Sequence, residues 1–176
     1  MKRTHVIRGA GLGGLLATLL AGALGGCAGY RVGSTLPPNI HTVYVGTFVN
    51  KTDQPDLEFQ TTRATLQEIQ KDGTLKISTQ DKADVILEAK ITKYTLEPLR
   101  YRKDQATTPN EYRIHLLADV ILRRANTMKV LVSVPNVEGW ATFTVTTDLR
   151  SNELTAIPNA ATDLGHEIVK NVVEFW

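Results

Sequence analysis

Cys27 is the one cysteine in the chain, and it stands where a long apolar run stops. Leu24, Gly25 and Gly26 lead directly into it. This is the pattern of a bacterial lipobox: a thiol is alkylated with a diacylglyceryl group, a dedicated peptidase cuts before it, and the new amino group is acylated. Small residues at 25 and 26 let the chain enter such a peptidase extended, and the thiolate is the soft nucleophile that the alkylation needs. A disulfide would need a second cysteine, which the sequence lacks. The upstream residues fit export. Lys2, Arg3 and Arg8 form a short basic region, and Ala10 to Leu24 is an uncharged stretch rich in Leu, Ala and Gly. A membrane-spanning helix needs about 20 apolar residues, whereas this run is shorter and interrupted by Gly11, Gly13, Gly14 and Gly22. Residues 1–26 are therefore expected to be a cleaved lipoprotein signal peptide and Cys27 the first, lipidated residue of the mature chain. Each buried methylene contributes about 0.8 kcal/mol, so two or three acyl chains anchor firmly where one is marginal. Ala28 follows in place of the Asp that retains lipoproteins in many inner membranes, which favours the outer one.

Other chemistry is sparse. His41, His115 and His166 are scattered singly, and no Gly-x-Ser-x-Gly elbow accompanies Ser34, Ser78, Ser133 or Ser151, so the nucleophile, base and orienting group of covalent catalysis do not assemble in sequence. There is no His-x-x-x-His, cysteine pair or calcium loop. The loop after the first expected strand, "NKTDQPD", lacks the glycines of a phosphate cradle. Glu88, Lys90 and Asp119 read as the solvated face of strands. No metal, catalytic residue or cofactor other than the covalent lipid is expected. One basic cluster stands out: Arg100, Arg102 and Lys103, with Arg113 shortly downstream and Arg123 and Arg124 further on. Folded as a hairpin, the first four gather at one tip. Guanidinium groups pair bidentately with phosphates, so an anionic glycolipid is the ligand class to weigh against a merely solubilising loop.

Cleavage after residue 26 leaves 150 residues, enough for one domain with a real core. It also leaves seventeen basic against eighteen acidic residues, a net charge of −1. The basicity of the precursor lies in its signal, and nucleic-acid binding gains no support.

The elements that position these groups follow from hydrophobic period. Residues 27–39, with Gly33, Pro37 and Pro38, read as a lipidated tether, and 40–176 as one domain. "IHTVYVGTF", residues 40–48, alternates and is β-branched, a strand. Asp56 is placed to cap a helix over 57–72, with Leu57, Ala64 and Ile69, together with Phe59 and Leu66, on its buried side and Gly73 ending it. "LKIS", 75–78, is a short strand. From Asp84 to about Tyr94, Val85, Leu87, Ala89 and Ile91 alternate with Ile86, Glu88, Lys90 and Thr92. In "EYRIHLLADVILRR", Tyr112, Ile114, Leu116, Ala118, Val120 and Leu122 share one face. Period two with charges on one face means a sheet wetted on one side. Residues 97–110 between these strands form either a long loop or an extended hairpin tip. "KVLVSV", 129–134, and "WATFTV", 140–145, are two further strands. The chain closes in a helix buried through Ala161, Leu164, Ile168, Val172 and Phe175 or Trp176, with Pro158 in its first turn or marking a break after a turn begun near Ser151. The order β-α-β-β-β-β-α, with a possible extra strand, gives an α+β fold: a mostly antiparallel sheet of four to five strands with two helices on one face.

The succession "CAGYRVGSTLPPNIHTVYVGTFVNKTDQPDLE", "LQEIQKDGTLKIS", "ADVILEAKITKYTLEPLRY", "EYRIHLLADVIL", "VEGWATFTV" and "ATDLGHEIVKNVVEFW" resembles the lipopolysaccharide-assembly lipoproteins of the LptE family over residues 27–176. The resemblance implies a non-enzymatic lipoprotein, anchored by lipid on the periplasmic side of the outer membrane. In that family the protein plugs a large β-barrel partner, LptD, assists its assembly, helps deliver lipopolysaccharide to the outer leaflet and binds that glycolipid. Only Cys27 carries over from the family residue by residue. A second resemblance, through "VYVGTFVNKTD", "QKDGTLKIS" and "ADVILEAKI", is to lipoproteins of the LpoB type that activate peptidoglycan synthases. Those have long tethers that reach through the wall, whereas the roughly ten residues after Cys27 span about 35 Å at most.

Overall fold

The computed structural model describes residues 37, 39–102 and 108–174. Cys27, most of the expected tether, Lys103, Phe175 and Trp176 lie outside the described residues. Among the described residues, six strands and two helices follow in the order β1 (Thr42–Val45), β2 (Val49–Asn50), α1 (Leu57–Asp72), β3 (Lys76–Ile77), β4 (Val85–Tyr101), β5 (Pro109–Arg124), β6 (Val130–Thr144) and α2 (Leu149–Glu174). The fold is α+β, and its sheet is mixed. The three long strands β4, β5 and β6 are antiparallel neighbours, while the short β1 and β2 run parallel to β4 and β3 parallel to β1. The sheet order is β3-β1-β4-β5-β6, with β2 also on β4.

Alternation does what the sequence requires of it. Val85, Leu87, Ala89 and Ile91 of β4 and Ile114, Leu116, Ala118, Val120 and Leu122 of β5 are all buried on one face. The β4 alternation changes phase at one place. A bulge between Ile91 and Lys93 inserts an extra residue, so the inward side chains become Tyr94 and Leu96, which pack on the core. Thr92 marks the bulge by donating its hydroxyl to the Leu117 carbonyl at 3.2 Å.

The expected strand 40–48 is two short ones. Pairing slips by one residue between Val43↔Val85 and Val49↔Lys90, and Phe48 turns into the core, its N–H donating to Thr62 Oγ1 at 3.0 Å. Asp84 pins the start of this edge: its carboxylate accepts from the N–H groups of His41 and Thr42 at 2.9 Å each and from the Thr42 hydroxyl at 2.8 Å. These bonds, that from His41 first, hold its pKa below the ordinary 3.8. The two strands expected at 129–134 and 140–145 are one, β6, carried across Pro135 and Asn136 by a bulge opposite Ala118 and Val120. Asn136 takes a positive φ of 54° there, and its N–H donates to Asp119 Oδ1 at 3.1 Å. A proline is tolerated because β6 is an edge strand. Of the segment 97–110, the described residues 97–102 and 108–110 extend β4 and β5 as paired strands, the last bond running from Arg102 N–H to the Thr108 carbonyl at 3.0 Å.

Both helices cover the apolar face. Leu57, Ala64 and Ile69 of α1 are buried as expected, but Phe59 is 62% exposed. The buried stripe runs instead through Thr61 and Thr65, whose hydroxyls donate to the carbonyls of Leu57 and Thr61 at 2.6 and 2.8 Å. That back-bonding satisfies a polar atom in the core and keeps the helix surface small. Asp56 makes no side-chain cap; Gly73, in the left-handed region at φ 74°, ends α1 with its N–H on the Ile69 carbonyl. In α2, Ala161, Leu164, Ile168 and Val172 are buried, and Pro158 lies inside the helix rather than at its start. A proline there removes the donor for the carbonyl four residues back. That carbonyl belongs to the half-exposed Leu154, where water can serve it.

Two glycines set how closely the layers approach. A Cβ on Gly139 of β6 would lie 2.3 Å from the Leu164 backbone nitrogen, and one on Gly165 of α2 would lie 2.9 Å from the Ala64 carbonyl carbon and the Thr65 nitrogen. Backbone is packed on backbone at both points. Above them, Tyr94 donates to Glu153 Oε1 at 2.5 Å, and Arg150 bridges Glu153 and Gln54 at 3.1 and 3.2 Å. This network ties the start of α2 to the sheet. Burial, then the Glu153 carboxylate, pushes the Tyr94 hydroxyl well above its ordinary pKa.

Candidate functional site

The 17 residues of β4 span about 55 Å at 3.3 Å each. Because β1 runs parallel to β4 with Val43 beside Val85, the N-terminal approach enters at the end of the sheet opposite the β4–β5 tip. The first described residues of the domain and the basic cluster therefore lie at opposite ends of one strand pair.

At the tip, antiparallel pairing sets Arg100 across from Glu111 and Arg113 across from Glu97. Glu111 and Arg113 are two apart on β5, so Arg100 and Arg113 share the outward face. Arg100 Nε lies 3.1 Å from Glu111 Oε2 with its side chain 79% exposed. The Arg113 guanidinium lies 4.7 Å from the ring centroid of Trp140 on β6, a cation–π distance, and its Nε is buried without a hydrogen-bond partner. Arg102 sits exposed at the last described bond between the two strands. The structure thus brings Arg100, Arg102 and Arg113 together. Arg123 belongs to the other end of β5, paired with Glu88 at 2.9 Å.

Below the arginines, His115 occupies the middle of the outward face. Its Nε2 lies 2.9 Å from Glu97 Oε2 and its Nδ1 2.5 Å from Glu138 Oε1, joining β4, β5 and β6. A hollow of about 460 Å³ opens here, lined by Lys93, Thr95, Glu97, His115, Leu117 and Glu138. Two ion pairs lie on this face, Arg123 with Glu88 and Arg100 with Glu111, and His115 is hydrogen-bonded between two carboxylates.

Trp140 and the His115 cluster are the features that residue types alone did not reveal. The signal was present in "VEGWATF": Val137, Gly139 and Ala141 alternate inward, so Trp140 falls on the charged side with Glu138. Among the described residues, no group of His, Cys, Asp and Glu has metal-binding geometry, and no helix is long and apolar enough to cross a membrane.

Comparison with known proteins bears on this arrangement. The family model for lipopolysaccharide assembly, LptE, matches residues 40–172. No curated protein sequence matches the chain. Among solved structures, a Xanthomonas campestris protein is similar with a TM-score of 0.54 at 9% identity, over 79% of this chain and 87% of that one. Lipoprotein B of Nitrosomonas europaea is similar at 0.53 and 14% identity, over 83% and 90%. At such identities these likenesses establish a shared fold.

Proposed function

Because this chain belongs to the lipopolysaccharide-assembly family LptE, we propose that it is lipidated on Cys27, sits on the periplasmic side of the outer membrane, and plugs an LptD-like β-barrel, assisting its assembly and the passage of lipopolysaccharide to the outer leaflet. It works by binding and not by turnover. The observation that carries this is the division of the sheet into two faces. Among the described residues, one is covered by α1 and α2 and carries the main core cluster; the other carries the ion pairs Arg100–Glu111 and Arg123–Glu88 beside a few apolar side chains such as Ile86 and Ile121. Such a body keeps its stability when surrounded by the polar interior of a large barrel, because none of its core has to be exposed.

Within that role, Arg100, Arg102 and Arg113, with Lys103 in the segment outside the described residues, form the glycolipid contact. Bidentate guanidinium–phosphate pairing is the chemistry that suits them. Glu111 already engages Arg100, so a phosphate there competes with a carboxylate, and binding through this contact weakens with salt.

The test is affinity purification of the lipoprotein from detergent-solubilised membranes and identification of what accompanies it. A large β-barrel in about equal amount is the expected result. A penicillin-binding protein with no barrel would contradict it and favour synthase activation instead.

A further inference from the structure

We propose that Trp140 and the carboxylate-lined hollow beside it form a saccharide subsite, which binds the sugar rings of a phosphorylated glycan whose phosphates engage the neighbouring arginines; this rests on the glycolipid reading above and assigns the sugar part of the ligand.

Trp140 is 48% exposed on the face of the sheet that the helices leave open, although a tryptophan normally hides most of its large apolar area. It is also held in place from three directions. Its backbone N–H donates to Asp163 Oδ2 of α2 at 2.8 Å. Gly139, just before it, lies against the Leu164 backbone. The Arg113 guanidinium sits over the ring. An indole kept rigid yet half in water loses little conformational freedom when something stacks on it.

The surroundings select the occupant. His115 is the cross-strand neighbour of Trp140, and the hollow around His115 combines the carboxylates of Glu97 and Glu138 with the apolar Leu117 and Pro98. Each carboxylate uses one oxygen on His115 and retains acceptor capacity. Two carboxylates repel a phosphate, but they accept well from hydroxyls. A pyranose offers hydroxyl donors at its rim and a C–H face suited to the negative face of an aromatic ring. Arg100 and Arg113 lie next to this zone on the same face, with Arg102 at the tip. A cationic zone beside a carboxylate-and-aromatic zone is complementary to a ligand bearing both phosphates and free hydroxyls.

The chain has two tryptophans, so Trp176→Phe leaves Trp140 as the sole indole reporter. The full-length lipoprotein in detergent is titrated with deacylated, phosphorylated lipopolysaccharide oligosaccharide, and separately with inorganic phosphate. The oligosaccharide is expected to change Trp140 emission saturably, and phosphate alone is expected not to. By calorimetry, Trp140→Ala should weaken oligosaccharide binding about tenfold through loss of the stacking surface, while Trp140→Phe, which keeps a ring, should stay within about threefold. Thermal melts of both variants establish that the fold is retained. If Trp140→Ala binds like the parent while Arg100→Ala with Arg102→Ala abolishes binding, the subsite is overturned and the glycolipid reading stands. If the parent binds neither the oligosaccharide nor intact lipopolysaccharide, both fall. If Trp140→Ala keeps oligosaccharide affinity but loses a co-purifying barrel, Trp140 is a protein contact and the proposal is wrong.

Discussion

Replacing Gly139 with alanine should destabilise the domain by at least about 3 kcal/mol, the upper part of the range for overpacking a core. The added carbon would stand 2.3 Å from the Leu164 nitrogen and 2.4 Å from its Cα and Cβ. A flexible side-chain tip could swing away from such a clash, but helix backbone cannot. Relief requires α2 to lift off β6, and α2 carries Leu164, Ile168 and Val172, each at most 2% exposed, so the movement opens the core along its length. Gly165→Ala should cost less, because its nearest contacts are 2.9 Å away and a shift between the two helices can absorb part of the overlap. Gly46→Ala is the control: its closest neighbour is Tyr44 Cε1 at 3.8 Å, ordinary contact, and its effect should be small. Urea unfolding followed by circular dichroism should rank the three in that order. Equal effects at Gly139 and Gly46 would show that the close approach of β6 and α2 does not limit stability.

The second large effect concerns attachment. With export driven by a signal peptide whose cleavage does not depend on lipidation, Cys27→Ser should move the protein from the membrane pellet to the soluble periplasmic fraction while leaving its melting temperature unchanged. Attachment depends on two or three acyl chains, each buried methylene contributing about 0.8 kcal/mol, and a serine hydroxyl does not replace the thiolate in the alkylation. Among the described residues no helix offers a substitute anchor. Stability should be indifferent, because the core cluster of the described residues, from Ile40 to Val173, does not involve the acyl chains. Fractionation and immunoblotting provide the measurement, and an undiminished membrane fraction would remove the lipobox from the account.

The long strands were legible because period two with charges on one side leaves no freedom of register: every expected inward residue of β5 from Ile114 to Leu122 is buried. The short strands were not, since Thr42–Val45 and Lys76–Ile77 carry too few residues to say whether they run parallel to a neighbour. Only the crossover through α1 decides that. Pro135 reads as a strand break, but on an edge strand it needs only a bulge. Pro158 reads as a helix start or as a break after a turn begun near Ser151, but exposure of the turn before it lets the helix continue. Hydrophobicity alone places Phe59 in the core, whereas two back-bonded threonines, Thr61 and Thr65, fill the buried stripe, and Gly165 passes close to the α1 backbone at Ala64 and Thr65. For the site, charge alone located Arg100, Arg102 and Arg113. The indole under Arg113 and the imidazole between two carboxylates depend on which residues face each other across three strands, and that appears only with the pairing.

The measurement that bears most directly on a plug is cross-linking in living cells from opposite sides of the domain. A photoreactive residue is placed at Thr142, exposed on the outer face of β6, and in a second strain at Phe59, exposed on α1. A body enclosed by a barrel touches it all round, so both positions should give adducts with the same large β-barrel protein. Adducts from one side only, or with different proteins from the two sides, would contradict enclosure and place this lipoprotein against its partner rather than inside it.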